Sequence, residues 1–168
     1  MDYQFKTRVY SESFLDYNEK IAFSVKQSHK LINVLRMKEN DDIIIFNNIY
    51  GEWAAKIKIN KSLINAECIK KIRDAKKEYG PSLIFSPLKQ ARSDWLVEKA
   101  TECGVENLFP SLMTRTSVRS INIDRYKSNA IGAAEQTGRL SIPNIEPLRV
   151  YEEQIKICEK LNKTIIFC

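Results

Sequence analysis

Late in the sequence runs GAAEQTGR, Gly132 to Arg139, where a carboxylate, an amide and a guanidinium gather at the apparent end of a helix. Glu135 falls in the last turn before Gly138, the residue type that most readily takes the left-handed helix stop. The negative end of the helix macrodipole disfavours a carboxylate there by a few tenths up to about 1 kcal/mol. Helix stability therefore does not select Glu135. Two readings stand: Glu135, Gln136 and Arg139 serve a site, or Arg139 pairs with Glu135 in a helix-end network that offsets the dipole penalty.

Other residues with chemical potential are fewer. The five glycines fall in neither a GxGxxG nor a GxxxxGK arrangement, so no dinucleotide or nucleotide phosphate cradle is encoded. His29 is the single histidine, and beside Lys30 it reads as a structural or RNA-contacting residue rather than a catalytic one. Cys68, Cys103, Cys158 and Cys168 form no CxxC pair, which argues against both a zinc site and a disulfide framework and suits a reducing cytosol. Lys99 and Glu102, three apart, read as a solvated pair.

The charge balance points to a polyanion. There are 27 Lys and Arg against 21 Asp and Glu, a net charge of +6, and the cations cluster. Lys26, Lys30, Arg36 and Lys38 form one group, and Arg115, Arg119, Arg125 and Lys127 another, with Tyr126 among them and Asp124 opposing. Either cluster alone reads as a solvated face, but the two together favour a phosphate-tracking surface, because Lys and Arg contacts to phosphate supply sequence-independent affinity. No apolar run approaches the length of a membrane span, and the N-terminus lacks the apolar stretch of a signal peptide, so a cytoplasmic protein is expected.

The elements that must position these residues fall into two groups. DDIIIF and EWAAKIKI are strand-like and joined by the turn-rich NNIYG, LINAECIKKI adds a third strand, and SHKLINVLRMK reads as a short helix. In that helix Ser28 is the expected N-cap, with Leu31, Val34, Leu35 and Met37 packed on the sheet. The charged stretch KKIRDAKKEYGPS reads as a linker. Beyond it SLIFSPL, SDWLVEKATECG, NLFPSL, NIDRYKSNAIGAAEQTG, IKICEKLN and TIIFC alternate strand and helix, the signature of βαβ units and a mostly parallel sheet. The first of these helices is expected to start at Ser93, with Cys103 in the core and Gly104 as its stop. Gly132, inside the second, suggests close approach of a backbone or ligand.

Three blocks resemble a known family. HKLINVLRMKENDDIIIFN followed by GEWAAKI resembles the HHLxxVLRxxxGDxxxxxDG segment of the ribosomal RNA small-subunit methyltransferase E family. LKQARSDWLVEKATECGVENLFPSLMTRTSV resembles its K…QKATELGV…P…SERS block, and AAEQTGRLSIPNI its AxEQxGRxxxPxI block. The resemblance implies an α/β protein: a PUA-like β-barrel domain over residues 1–74, then an incomplete SPOUT domain over 75–168. It implies S-adenosylmethionine as cofactor, N3 of a uridine in the 16S rRNA of the small ribosomal subunit as target, and a homodimer when complete. No metal is implied.

Carried over by motif, His29, Lys30, Arg36, Arg115, Arg119 and Gln136 are expected RNA-binding residues, and Glu135 and Arg139 expected catalytic ones. In that reading Glu135 and Gln136 face the cleft while Arg139 reaches a phosphate or a uracil carbonyl. The chain departs from the pattern at Lys30 for the second histidine, Asn40 for the Gly of GD, Cys103 for the Leu of ELGV and Thr114 for the Glu of SER. The family's GPEGG loop and LGxxxLRxETA segment, which form the knot around the cofactor, are not in the sequence, so the cofactor-binding residues are expected beyond Cys168. The alternative is a noncatalytic RNA-binding remnant of the same family.

Overall fold

The computed structural model describes residues 4–60, 63–160 and 164–166. The chain divides into two compact units, Met1–Lys77 and Glu78–Cys168.

The first unit is a five-stranded sheet made of β1 (Arg8–Tyr10), β2 (Lys20–Ala22), β3 (Asp42–Asn47), β4 (Gly51–Asn60) and β5 (Leu63–Arg73). The strand order is β1-β3-β4-β5-β2, with β1 parallel to β3 and the other pairings antiparallel. The three long strands are the expected ones. The two outer strands are three residues each, too short for alternation to be read from sequence. Ile43 and Ile45 of β3, Ala55 and Ile57 of β4, and Ile64, Ala66 and Cys68 of β5 point to one core. Two register shifts in β4, at Glu52/Trp53 and Ala54/Ala55, curl the sheet, since bulges bend the strand and sharpen its twist. β5 runs on to Arg73, so the first residues of the expected linker belong to a strand.

The helical segment differs from its sequence reading. α1 (Val25–His29) begins earlier than expected, capped by Ser24, whose hydroxyl accepts from the Gln27 N–H while the Gln27 side chain accepts from the Ser24 N–H. Ser28 is not a cap. It is buried, and its hydroxyl accepts from the Ile64 N–H at 3.2 Å. The chain continues as a π turn over Lys30–Val34, closed by Leu35 N–H to Lys30 O at 3.0 Å. The wider turn rotates the residues in and after it, so Leu31, Ile32 and Met37 meet the core while Val34 and Leu35 face outward.

The second unit alternates as expected: β6 (Ser82–Phe85), α2 (Gln90–Glu102), β7 (Asn107–Leu112), α3 (Ile123–Thr137), β8 (Asn144–Ile145), β9 (Arg149–Val150) and α4 (Tyr151–Lys160). Every strand pairing is parallel; the order is β6-β7-β8, and β9 joins β7 beyond β8. Gln154, fully buried, donates its amide to Pro110 O and Pro147 O at 3.1 Å, satisfying carbonyls near where β7 changes neighbour. Residues 164–166 of the TIIFC run are in no regular element, and 167–168 lie outside the described residues.

α2 starts at Gln90 rather than Ser93, whose buried hydroxyl bonds the N–H and the carbonyl of Leu88. Cys103 is exposed at the helix end instead of joining the core. Val97, Ala100, Tyr126 and Ala130 close the α2–α3 layer over Phe85, Leu108 and Ile145.

The glycine that allows close backbone approach is not Gly132. A Cβ there would meet nothing within 4 Å, whereas one on Gly80 would lie 1.9 Å from Gly104 O. Gly132→Ala should therefore stabilise the chain by about 0.5–1 kcal/mol through helix propensity. Gly80→Ala should destabilise it by about 1–3 kcal/mol through overpacking. Urea unfolding of both variants checks the pair, and a destabilised Gly132→Ala would show that α3 is packed where it is drawn open.

Candidate functional site

The end of α3 is built as a brace. Gly138 takes φ 77°, the left-handed stop, and turns the chain so that Arg139 points across to the end of α2. Its Nη1 donates to Thr101 O at 2.7 Å and Val105 O at 3.1 Å, and its Nη2 to Ser141 Oγ at 2.8 Å. Nε lies 3.5 Å from Glu78 Oε2, and the arginine side chain is only 10% exposed. A cation at the carbonyl end of α2 is favoured by that helix's dipole.

Glu78 is the acidic member of this brace, and it lies in the stretch read as a linker. Its carboxylate accepts from Ser141 Oγ at 2.6 Å, from Ser141 N–H at 3.1 Å and from Leu140 N–H at 3.5 Å. Burial alone would raise the Glu78 carboxyl, but the Ser141 and Leu140 hydrogen bonds and the Arg139 charge together hold it below the usual carboxylate range. No local pattern in the sequence marks Glu78, because its hydrogen-bond partners are 62 and 63 residues away in the chain.

The expected site residues divide between the two units. His29, Lys30 and Arg36 are exposed on and just after the helical segment of the first unit. Arg36 has φ 53°, a left-handed conformation that costs a non-glycine residue about 1–2 kcal/mol. Arg115, Arg119, Glu135, Gln136 and Arg139 belong to the second unit. Glu135 is half-buried and Gln136 exposed at the α3 end. Arg139, expected to reach a phosphate or a uracil carbonyl, here bonds Thr101, Val105, Ser141 and Glu78.

The arginine loop is stitched at the carboxyl ends of β6 and β7, where ligands of open α/β sheets gather. Met113 to Thr116 is a tight turn closed by Thr116 N–H to Met113 O at 3.0 Å. The Thr116 hydroxyl accepts from Met113 N–H at 2.8 Å and lies 2.6 Å from the Ser86 hydroxyl. Arg115 sits exposed at the tip of this turn. Arg119 lines a cleft of about 1120 Å³ that runs along β6 and past Leu112 and Met113. Arg125, counted with the basic cluster, is instead bound to Asp94 of α2, and its hydrogen bonds with that of Asn129 hold the Asp94 carboxyl low. Lys99 and Glu102 form the solvated pair expected of them.

Among the described residues no group of His, Cys, Asp and Glu could hold a metal ion, and no helix is long and apolar enough to cross a membrane.

The chain combines a curled five-stranded β unit with a following parallel α/β unit whose strand ends carry exposed arginines. Family models agree: the RNA methyltransferase domain matches residues 76–168, and the RNA methyltransferase PUA domain matches residues 26–67. The chain belongs to the RNA methyltransferase domain family, and the relatives it matches include ribosomal RNA small subunit methyltransferase E proteins. It is 30% identical over 151 residues to that enzyme of Rickettsia conorii, covering 89% of this chain and 62% of the relative. It is 31% identical over 153 residues to that of Buchnera aphidicola, covering 86% and 60%. The structure of the Neisseria gonorrhoeae enzyme bound to S-adenosyl methionine has the same fold, with a TM-score of 0.76 at 22% identity over 89% of this chain and 64% of that one. The chain thus spans about three fifths of the length of these relatives.

The brace has a pH signature. Because the folded carboxyl is depressed, its stabilisation is present above the unfolded pKa and is lost as pH falls through the folded one. Glu78→Gln should cost about 1–3 kcal/mol at pH 7 and lose less than the natural chain between roughly pH 5 and 3. Urea midpoints measured across that range check this, and parallel curves for the two proteins would remove Glu78 from the brace.

Proposed function

We propose that this chain is the RNA-recognising part of an S-adenosylmethionine-dependent enzyme that methylates N3 of a uridine in 16S rRNA. The observation that carries the reading is the match of both family domains, in order, on a chain whose arginine turn projects from the strand ends. Arg115 and Arg119 hold RNA phosphates, with Gln136 at the α3 end as a further contact, while His29, Lys30 and Arg36 give the PUA-like unit its own RNA contacts. The domain boundary lies in the segment just before β6.

Methylation of N3 requires its proton to leave as the methyl arrives, and the resulting charge spreads onto the uracil carbonyls. Glu135, half-buried at a helix end, is the carboxylate assigned a part in that proton's departure. Arg139 acts through Glu78 and the α2 carbonyls as a positioning residue that fixes the α3 end. The cofactor would bring the methyl group. The cleft along β6 is large enough for it, but its described lining has a single carboxylate, Glu152, for a sulfonium and no glycine-rich loop to wrap an adenosine. These residues alone do not make a cofactor site. The second reading is an RNA-binding relative without activity of its own.

Replacing Arg115 and Arg119 together with alanine should weaken binding to small-subunit rRNA and flatten its salt dependence. Every phosphate no longer held takes about 0.9 off the log–log slope on duplex and about 0.7 on single strands. An unchanged slope would return both arginines to an ordinary solvated surface. Calorimetric titration of the chain with S-adenosylmethionine should give no saturable heat, and a saturable isotherm would show that the cofactor site is complete within these residues.

A further inference from the structure

Between Leu112 and Arg125 one residue is buried, and it is a threonine. Thr116 is 6% exposed, while Arg115 before it and Arg119 three residues after it lie at the surface. A buried hydroxyl is costly unless it is hydrogen-bonded, and this one has two partners. It accepts from the Met113 N–H at 2.8 Å and lies 2.6 Å from the Ser86 hydroxyl. The Thr116 N–H adds a bond to Met113 O at 3.0 Å, so Met113–Thr116 is a β-turn closed twice by the same residue. Arg115 occupies the third position of that turn and takes its direction from it.

The far end of this tie is itself fixed. Ser86 follows the last residue of β6 and precedes Pro87, which restricts it to extended backbone. Two residues on, the Leu88 N–H and carbonyl are both held by the buried Ser93 hydroxyl of α2. The loop from β7 to α3 has no second anchor of this kind: among the described residues, every hydrogen bond made by residues 113–121 involves Thr116. Among the same residues neither the Arg115 nor the Arg119 side chain has a hydrogen bond or ion pair, whereas Arg125 beyond them is bound to Asp94.

We propose that Thr116 is a positioning residue for phosphate binding. Held by Ser86, it sets the direction of Arg115 and the start of the run that carries Arg119, so that both guanidinium groups are presented to the RNA backbone from a fixed turn. A loop ordered only on binding loses affinity to the freedom it gives up, and a loop already tied avoids that loss. Threonine suits the task because branching at Cβ restricts χ1 and keeps the hydroxyl aimed. The proposal rests on the assignment of Arg115 and Arg119 to RNA made above.

The test is filter binding of the whole chain to labelled small-subunit rRNA over a range of salt, with urea unfolding to establish that each variant is folded. Thr116→Val keeps the branched shape and removes the hydroxyl. It should weaken binding and take up to about 0.7 to 0.9 off the log–log salt slope, the share of one phosphate. Thr116→Ser returns a hydroxyl and should recover most of the affinity and the slope. Ser86→Ala leaves both turn bonds in place and should move the two quantities in the same direction as Thr116→Val. The deciding comparison is a cycle with Arg115→Ala, which should weaken the natural chain but change little in Thr116→Val, because residues that serve one contact are not additive. Full affinity and slope in folded Thr116→Val, or losses that simply add in the double variant, would overturn the positioning role and leave the RNA reading standing. If Thr116→Val does not fold, the cycle is read with Ser86→Ala by the same criteria. Undiminished binding by Arg115→Ala in the natural chain, or no binding by the folded natural chain, would overturn the assignment of the loop to RNA and the positioning role with it.

Discussion

The second unit depends on one buried guanidinium. Arg139 joins the stop of α3 to the carbonyl end of α2 and, through Glu78 and Ser141, to the segment that leads into β6. A charge this little exposed is tolerable only when its donors are satisfied, and removing a partner would leave an uncompensated ion in a low-dielectric site. Thr101 O is also the acceptor for the Gly104 N–H, so the brace lands on the carbonyls that a helix end leaves short of partners. Gly80 makes the arrangement possible by letting its backbone pass against Gly104, an approach that a side chain would block. With three chain segments locked at one point, the exposed end of α3 is presented from a rigid base.

The first unit uses the same device. Glu52 is nearly buried yet bridges Arg8 of β1 and Arg73 at the end of β5, and Arg8 also lies 4.0 Å over the ring of Phe46. The carboxylate thus ties an edge strand across β4 to β5, and the bulged β4 keeps its curl. Against this stiff sheet the π turn and the left-handed Arg36 are local irregularities that sequence propensity does not favour. Such features persist only where the surrounding structure holds them, and they gather at functional positions. Here they carry the exposed Lys30 and Arg36.

Much of the architecture could be read from the residues. The apolar runs in DDIIIF and EWAAKIKI, the change to strand–helix alternation after the charged stretch, and Gly104 and Gly138 as stops all describe local preferences, and local preferences are written in local sequence. The three motif blocks went further and located the family. Two of the differences have a common local origin. Helix starts were misplaced, at Ser28 and at Ser93, because a serine hydroxyl serves equally well as a cap or as a buried tie to another segment, and both serines are ties. The packing of Val34 and Leu35 was misread because a single π turn changes the phase of the helix, and no residue type demands such a turn.

By itself, then, the sequence determined the order and type of the main elements, the excess of positive charge and the presence of the EQTGR motif, since each follows from residue types and their near-neighbour spacing. Only the tertiary structure decided what those charges face. Arg125 and Arg139 look alike in the sequence to Arg115 and Arg119, but the first pair is spent on Asp94, Glu78 and helix carbonyls, while the second is left at the surface. The partners that make the difference lie 31 to 38 residues away for Asp94 and Thr101, and further still for Glu78. Contacts at that separation are set by how the sheet and helices pack, so the same residue type becomes a brace in one place and an exposed surface cation in another.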